Sequence, residues 1–142
     1  MSAITRKFGA HVVNNIFRNE SNIKNTELYV ALYTSAPDKT GGGTEVSGGG
    51  YSRVAVPCTS AKWVETAGGG SESAETSNRG DVIFPIPTED WGLVTHFALH
   101  SAQTGNDNMM FFGEIVVPAD IKGGDGAPKF QDGSIDIKLD NI

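Results

Sequence analysis

The stretch GLVTHFALHSA, residues 92–102, is the strongest strand signal in the chain. Valine, threonine and phenylalanine favour extended backbone, and the stretch predicts a central strand of a sheet. Gly105 and the run Asn-Asp-Asn at 106–108 form a turn signal, and a second apolar run, 109–117, follows. Two such runs joined by a turn predict a hairpin.

Further short strands are predicted on both sides of this hairpin. Residues 27–34 (ELYVALYT) are nearly continuously apolar, as in a strand buried on both faces. The C-terminal stretch SIDIKLDNI alternates, with Ile135, Ile137 and Leu139 on one face, and predicts a half-buried antiparallel strand. The other strand candidates are 51–56, 60–66 and the extended stretch 81–87, whose two prolines favour an edge position; 68–78 and 121–129 are predicted loops.

The first segment of the chain has a different period. Ile4, Phe8, Val12 and Ile16 recur at steps of four and predict a helix over residues 3–18 with one apolar face. That face must be buried on the chain's own strands or on a partner subunit, so these four residues are a possible interface. One helix followed by short strands predicts a mainly β fold, an antiparallel, jelly-roll-like β-sandwich (27–142) in a single domain, 1–142.

Charge and cysteine content exclude several classes of protein. The formal net charge of −6 argues against binding to nucleic acid or to an anionic membrane. The single cysteine, Cys58, allows neither an internal disulfide nor a multi-cysteine zinc site. The start of the chain lacks the apolar core of a secretory signal, so we expect synthesis in a cytoplasm without export by that route.

The glycine-rich stretch GGGTEVSGGGYSRVAV, residues 41–56, raises the question of a phosphate-binding loop. Gly49 stands where such a loop needs lysine, and the stretch leads into a strand pattern instead of a helix. We therefore interpret Gly48, Gly49 and Gly50 as a structural loop with unusual backbone conformations, and Tyr51 as the anchor of the next strand.

No catalytic or metal-binding constellation is predicted. His96 and His100 share a strand face but lie roughly 13 Å apart, too far to share one ion. The sequence has no serine-nucleophile elbow, and no pair of carboxylates stands out as a glycosidase pair. We therefore expect no cofactor, no metal and no enzymatic activity. We expect the aromatic side chains to lie mainly in the core, and among them Trp91 best fits the alternative of a subunit interface.

Long motifs in a fixed order resemble a family of small tailed-bacteriophage virion proteins, often called tail fibre or minor structural proteins. They are LYVALYTSAPD (28–38), GTEVSGGGYSRVAV (43–56) and IFPIPTEDWGLVTHFALHSAQTG (83–105). The family pattern has an N-terminal helix, a GTEVSGGGY segment and a WGxVTHF segment. The resemblance therefore marks as structural motif residues Gly48, Gly49, Gly50, Tyr51, Trp91, Gly92 and His96. Pro-Ile-Pro at 85–87 and the loop 121–133 depart from the pattern.

The resemblance implies a non-enzymatic structural role in a virion, in a protein made in the host bacterial cytoplasm. The leading hypothesis is a tail fibre or baseplate-associated assembly subunit that contacts other virion proteins and forms a homo-oligomer, possibly a trimer. Capsid decoration is an alternative. Another is a tail module in which loops 68–79 and 122–133 bind a host surface glycan, and a small polysaccharide hydrolase is the least favoured.

Overall fold

The computed structural model describes residues 2–20, 25–64 and 74–139. Its elements, in chain order, are β1 (Ser2–Ile4), α1 (Arg6–Arg18), β2 (Glu27–Tyr33), β3 (Val54–Pro57), β4 (Ala74–Ser77), β5 (Val82–Ile83), β6 (Gly92–His100), β7 (Met109–Ile121), β8 (Lys129–Phe130) and β9 (Asp136–Leu139). The predicted fold class, a mainly β antiparallel sandwich with one N-terminal helix, is confirmed.

The principal layer is a five-stranded antiparallel sheet in the order β1-β7-β6-β2-β3. Strand β6 lies at its centre, with Phe97 opposite Leu32 on one side and Gly113 on the other. The predicted hairpin of β6 and β7 is present, and it closes with a hydrogen bond from Ser101 N to Asn108 O. Strand β7 runs four residues beyond the predicted end, because an irregularity in its pairing with β6 accommodates Pro118.

Two ribbons, β4-β9 and β5-β8, complete the core. The core consists of large apolar side chains from the sheet and the ribbons, among them Val30, Leu99, Phe84, Ile135 and Ile137. Full burial of one such side chain stabilises the fold by about 1.5–3 kcal/mol. The buried Ile135 and Ile137 match the alternation of the last strand, whose predicted end, 140–142, lies outside the described residues.

Two predictions in the middle of the chain are wrong. Residues 60–64 form a turn, in which the amides of Lys62 and Trp63 both donate to Thr59 O, and then a single bridge from Trp63 to Asn78. Residues 74–77, expected in a loop, form β4 because β9 supplies a hydrogen-bonding partner. The intervening residues 65–73 lie outside the described part of the chain.

The helix begins at Arg6, so the expected start at residue 3 is wrong. Thr5 is the N-cap, and its Oγ1 accepts a hydrogen bond from Phe8 N at 3.3 Å. Ile4 precedes the cap and pairs with Phe111 in β1. The i, i+4 step from Ile4 to Phe8 therefore links a strand to a helix, and pairing with β7 overrides the helical spacing.

Candidate functional site

The GGGY loop closes directly on Trp91. Gly49 has φ +59°, and its carbonyl accepts hydrogen bonds from Trp91 Nε1 and from Thr88 N, each at 2.9 Å. A Cβ atom at Gly49 would lie 2.9 Å from Trp91 Nε1, closer than such atoms approach. Glycine at this position therefore allows both the left-handed backbone and the contact with the indole.

Tyr51 connects the GGGY loop to the core. Its hydroxyl donates to Glu45 Oε2 at 2.7 Å and accepts from Leu32 N at 3.0 Å. Its ring meets the Trp91 ring edge to face, with centroids 5.4 Å apart. Burial and the hydrogen bond to Glu45 raise the pKa of Tyr51, so the phenol keeps its proton. The expected anchoring role of Tyr51 fits this geometry.

The buried Arg53 and the half-buried Glu45 form an ion pair next to Tyr51. Nε of Arg53 donates to Glu45 Oε2 at 2.9 Å and Nη2 donates to Oε1 at 2.8 Å, which is a bidentate arrangement. Only 3% of the Arg53 side chain is exposed. Burial alone would raise the pKa of Glu45, but hydrogen bonds from Arg53 and Tyr51 outweigh it and hold the pKa below its ordinary value.

Arg53 also holds the turn between β6 and β7. Its Nη1 donates to Ala102 O at 3.0 Å and to Asn108 Oδ1 at 3.2 Å, and its Nη2 donates to Gly105 O at 2.6 Å. Gln103 returns a hydrogen bond from its side chain to Arg53 O at 2.8 Å. One guanidinium thus fixes a turn about 50 residues away along the chain.

His100 completes this buried cluster as a neutral imidazole. Asn108 Nδ2 donates to Thr104 O, so Asn108 Oδ1 must accept, and it lies 2.6 Å from His100 Nδ1. His100 Nδ1 therefore carries the hydrogen, and Nε2 accepts from Tyr33 Oη at 2.9 Å. Burial, followed by the charge of Arg53, lowers the pKa of His100 to about 4, while burial and Glu45 raise the pKa of Tyr33 to about 12.

The structure brings together most of the expected motif residues. Gly48, Gly49, Gly50, Tyr51, Trp91 and Gly92 lie around one junction, and the four glycines share a positive φ. His96 is half-buried on β6, and its Nδ1 lies 2.8 Å from Oγ1 of the neighbouring Thr95, which is a local hydrogen bond. Their assignment as functional residues remains a prediction.

The sequence patterns did not predict the polar half of the cluster, which consists of Tyr33, Glu45, Arg53, His100 and Asn108. One signal was present, because Arg53 lies in phase with Tyr51 in a period-two stretch, and Tyr51 was expected to anchor the strand. A charged residue on the anchored face needs a partner, and Glu45 is the nearest upstream acid.

The apolar face of α1 divides into an inner and an outer part. Phe8 packs edge to face on Phe111, with centroids 5.3 Å apart, whereas Val13, Ile16 and Phe17 are exposed. Phe17 is the most exposed of the three, at 79%. Of the four expected interface residues, Ile16 is exposed, Val12 is half-buried, and Ile4 and Phe8 lie against β7.

The described residues contain neither a metal-ligand cluster nor a membrane-spanning helix. Within residues 2–20, 25–64 and 74–139, no group of three or more His, Cys, Asp or Glu side chains is placed to hold a metal ion. The described helix is too short and too polar to cross a lipid bilayer.

The chain matches the model of one protein family over residues 3–138, and that family is described as "Podophage GP4 fiber I protein gp80". Curated proteins give no match. The match covers the helix, the GGGY loop, the Trp91 junction and both strands of the central hairpin. The resemblance to a phage structural family is thereby confirmed, and the chain belongs to this family of bacteriophage fibre proteins.

Proposed function

We propose that the protein is a non-enzymatic assembly subunit of the virion, associated with the tail fibre or baseplate, and that it acts as a homo-oligomer, possibly a trimer. The observation that carries this proposal is the match to a fibre family over nearly the whole chain. A fibre subunit needs a rigid body and at least one surface that contacts another subunit, and the structure supports both.

The buried polar cluster supports the rigid body. Glu45 is hydrogen-bonded to Arg53 and Tyr51, Asn108 is hydrogen-bonded to Arg53 and His100, and Arg53 and Tyr51 also bond to backbone groups. A network satisfied in this way fixes one arrangement of the loops and favours a structural role over a catalytic one. It also joins the GGGY loop to the turn of the central hairpin, so these loops move as one body.

The outer face of α1, defined here as Val13, Ile16 and Phe17, supports a contact surface. These residues lie at i, i+3 and i+4, so they form one continuous apolar patch on the helix. Full burial of each such side chain is worth about 1.5–3 kcal/mol. An apolar patch retained on a surface is typical of a site for association with another subunit.

Co-sedimentation separates the possible locations in the particle. Purified protein is mixed with purified tails or with empty heads, pelleted and quantified, with Phe17→Asp as a variant of the outer face. We expect the wild type to pellet with tails and the variant to pellet less. Pelleting with heads alone would replace the tail location with capsid decoration.

The same preparation tests the alternative role in host recognition. A protein that binds neither tails nor heads, but binds host cells or extracted host surface glycan, would contradict the assembly role and favour a glycan-binding module. Glycan binding alongside pelleting with tails would add that activity to the assembly role.

A further inference from the structure

The two ends of helix α1 have complementary surfaces. The C-terminal end presents a knob, defined as Ile16 and Phe17, with exposed fractions of 67% and 79%. Beside the knob, Arg18 and Glu20 form an exposed ion pair at 3.2 Å. The knob therefore combines an aromatic side chain with one positive and one negative charge.

The N-terminal end of the helix borders an open socket of about 310 Å³. Phe8, Met109 and Met110 supply its apolar lining, and His11 lies on its wall. On its rim, Lys7 and Asp107 form a second exposed ion pair, at 3.5 Å. The apolar part of the socket matches the Phe17 ring, because methionine sulfur and aromatic rings pack favourably on an inserted phenylalanine. The polar residues Asn25, Ser101 and Asn108 complete the lining.

We propose that the socket receives Phe17 of a second copy of this chain. The inference rests on the proposed function as a homo-oligomeric fibre subunit and names the contact that builds the oligomer. The charges favour this occupant, since Arg18 and Glu20 of the entering helix carry the signs needed to face Asp107 and Lys7. Exposed pairs of this kind are individually weak, so they set the register while the buried aromatic ring supplies most of the affinity.

The geometry makes the contact intermolecular and directional. Phe8 at the socket and Phe17 at the knob are nine residues apart on one continuous helix, a rise of about 13.5 Å. The knob therefore cannot enter its own socket. A contact between two different patches is heterologous, and it closes into a ring when the rotation between copies allows it. A ring of three would occupy every knob and every socket.

The first test measures mass in solution by light scattering. We expect the wild type to have a mass three times that of the 15.0 kDa chain, and Phe17→Asp to be monomeric. Filling the socket with His11→Trp should also give monomers. The matched control is Val116→Asp, which changes an apolar residue that is 95% exposed outside the helix, and it should leave the mass unchanged. A monomeric wild type, or an oligomer that survives Phe17→Asp, overturns the proposal.

The second test determines the direction of the contact with a short thiol-reactive crosslinker in a Cys58→Ser background. Variants Ile16→Cys and His11→Cys keep the knob aromatic and can be mixed in equal amounts. We expect crosslinks between the two different variants and few within either one. Crosslinking of Ile16→Cys with itself would instead indicate a symmetric contact between two knobs and would contradict the socket. No crosslink in the mixture would also contradict it.

Failure of this contact is distinguishable from failure of the proposed function. If the wild type pellets with tails but shows neither oligomer nor mixed crosslinks, the assembly role stands and the socket contact is wrong. If the mixed crosslinks form but the protein pellets with no particle, the socket contact stands and the virion role is wrong.

Discussion

Replacement of Gly49 by alanine should destabilise the protein through two effects that can be measured separately. A non-glycine residue in the left-handed region costs about 1–2 kcal/mol. The new Cβ would also lie 2.9 Å from Trp91 Nε1, so the indole must shift. That shift weakens the hydrogen bond from Trp91 Nε1 to Gly49 O, worth about 1 kcal/mol. Together the two effects lower the free energy of unfolding by about 2–3 kcal/mol.

Gly48 offers a matched control for this prediction. It has a similar backbone, with φ +73°, but nothing lies within 4 Å of the position of its Cβ. Gly48→Ala should therefore show only the backbone cost of about 1–2 kcal/mol. Urea unfolding followed by tryptophan fluorescence gives the free energy of each variant, and 1 kcal/mol corresponds to about 4 °C in Tm for a chain of this size.

The difference between the two variants tests the contact with Trp91. In a Trp91→Phe background, Gly49→Ala should cost less than it does in the wild type, because the closest atom, the indole nitrogen at 2.9 Å, is gone. Equal destabilisation of Gly49→Ala and Gly48→Ala in the wild-type background would refute the claim that Gly49 is required by the indole. In that case, only the cost of the left-handed backbone at Gly49 would explain the destabilisation.

Three further predictions concern the buried polar groups. Arg53→Met should lower the free energy of unfolding by about 3 kcal/mol, the lower end for a buried pair, because Glu45, with 20% of its side chain exposed, loses its partner. Adding Glu45→Gln should recover part of that loss in a double-mutant cycle. The free energy of unfolding should fall by up to about 3 kcal/mol as the pH drops from 6.5 to 4, because His100 takes up a proton in the unfolded chain but resists it when buried. His100→Gln should reduce the pH dependence of the free energy of unfolding in this range, and an unchanged pH dependence would contradict the prediction. Stability should also fall as the pH rises from 10 towards 12, because Tyr33 keeps its proton only in the folded state, and Tyr33→Phe should reduce that loss in pH-dependent urea titrations. 

Elements with a strong local pattern were predictable from the sequence. The pattern of residues 92–102 predicted the central strand, and the alternation of Ile135 and Ile137 predicted the inner face of the last strand. The predicted start of the helix was wrong because Ile4 fits a helical spacing in the sequence but pairs with Phe111, more than 100 residues away. Strand β4 was not predicted for a related reason: its sequence is polar, and it becomes a strand because it pairs with the distant β9.

The candidate site was harder to predict because its bonds join distant parts of the chain. Gly48–Tyr51 could be recognised as a loop, but nothing local shows that Gly49 meets Trp91, 42 residues later. Arg53 bonds to carbonyls of 102 and 105, and backbone acceptors have no signature in the sequence. The outer face of α1 was predictable as apolar, but which part of it is buried depends on the position of β7.

The capping of α1 has a consequence for the time at which the helix can be positioned. Thr5 binds the carbonyls of Met109 and Met110, through its hydroxyl at 2.7 Å and its amide at 2.9 Å. These bonds join residues 104 and 105 apart, so closing them requires ordering of a very long loop. A chain with such distant contacts folds slowly, in milliseconds to seconds. During translation, α1 is made before β7 and can take its final orientation only after residue 110 has left the ribosome.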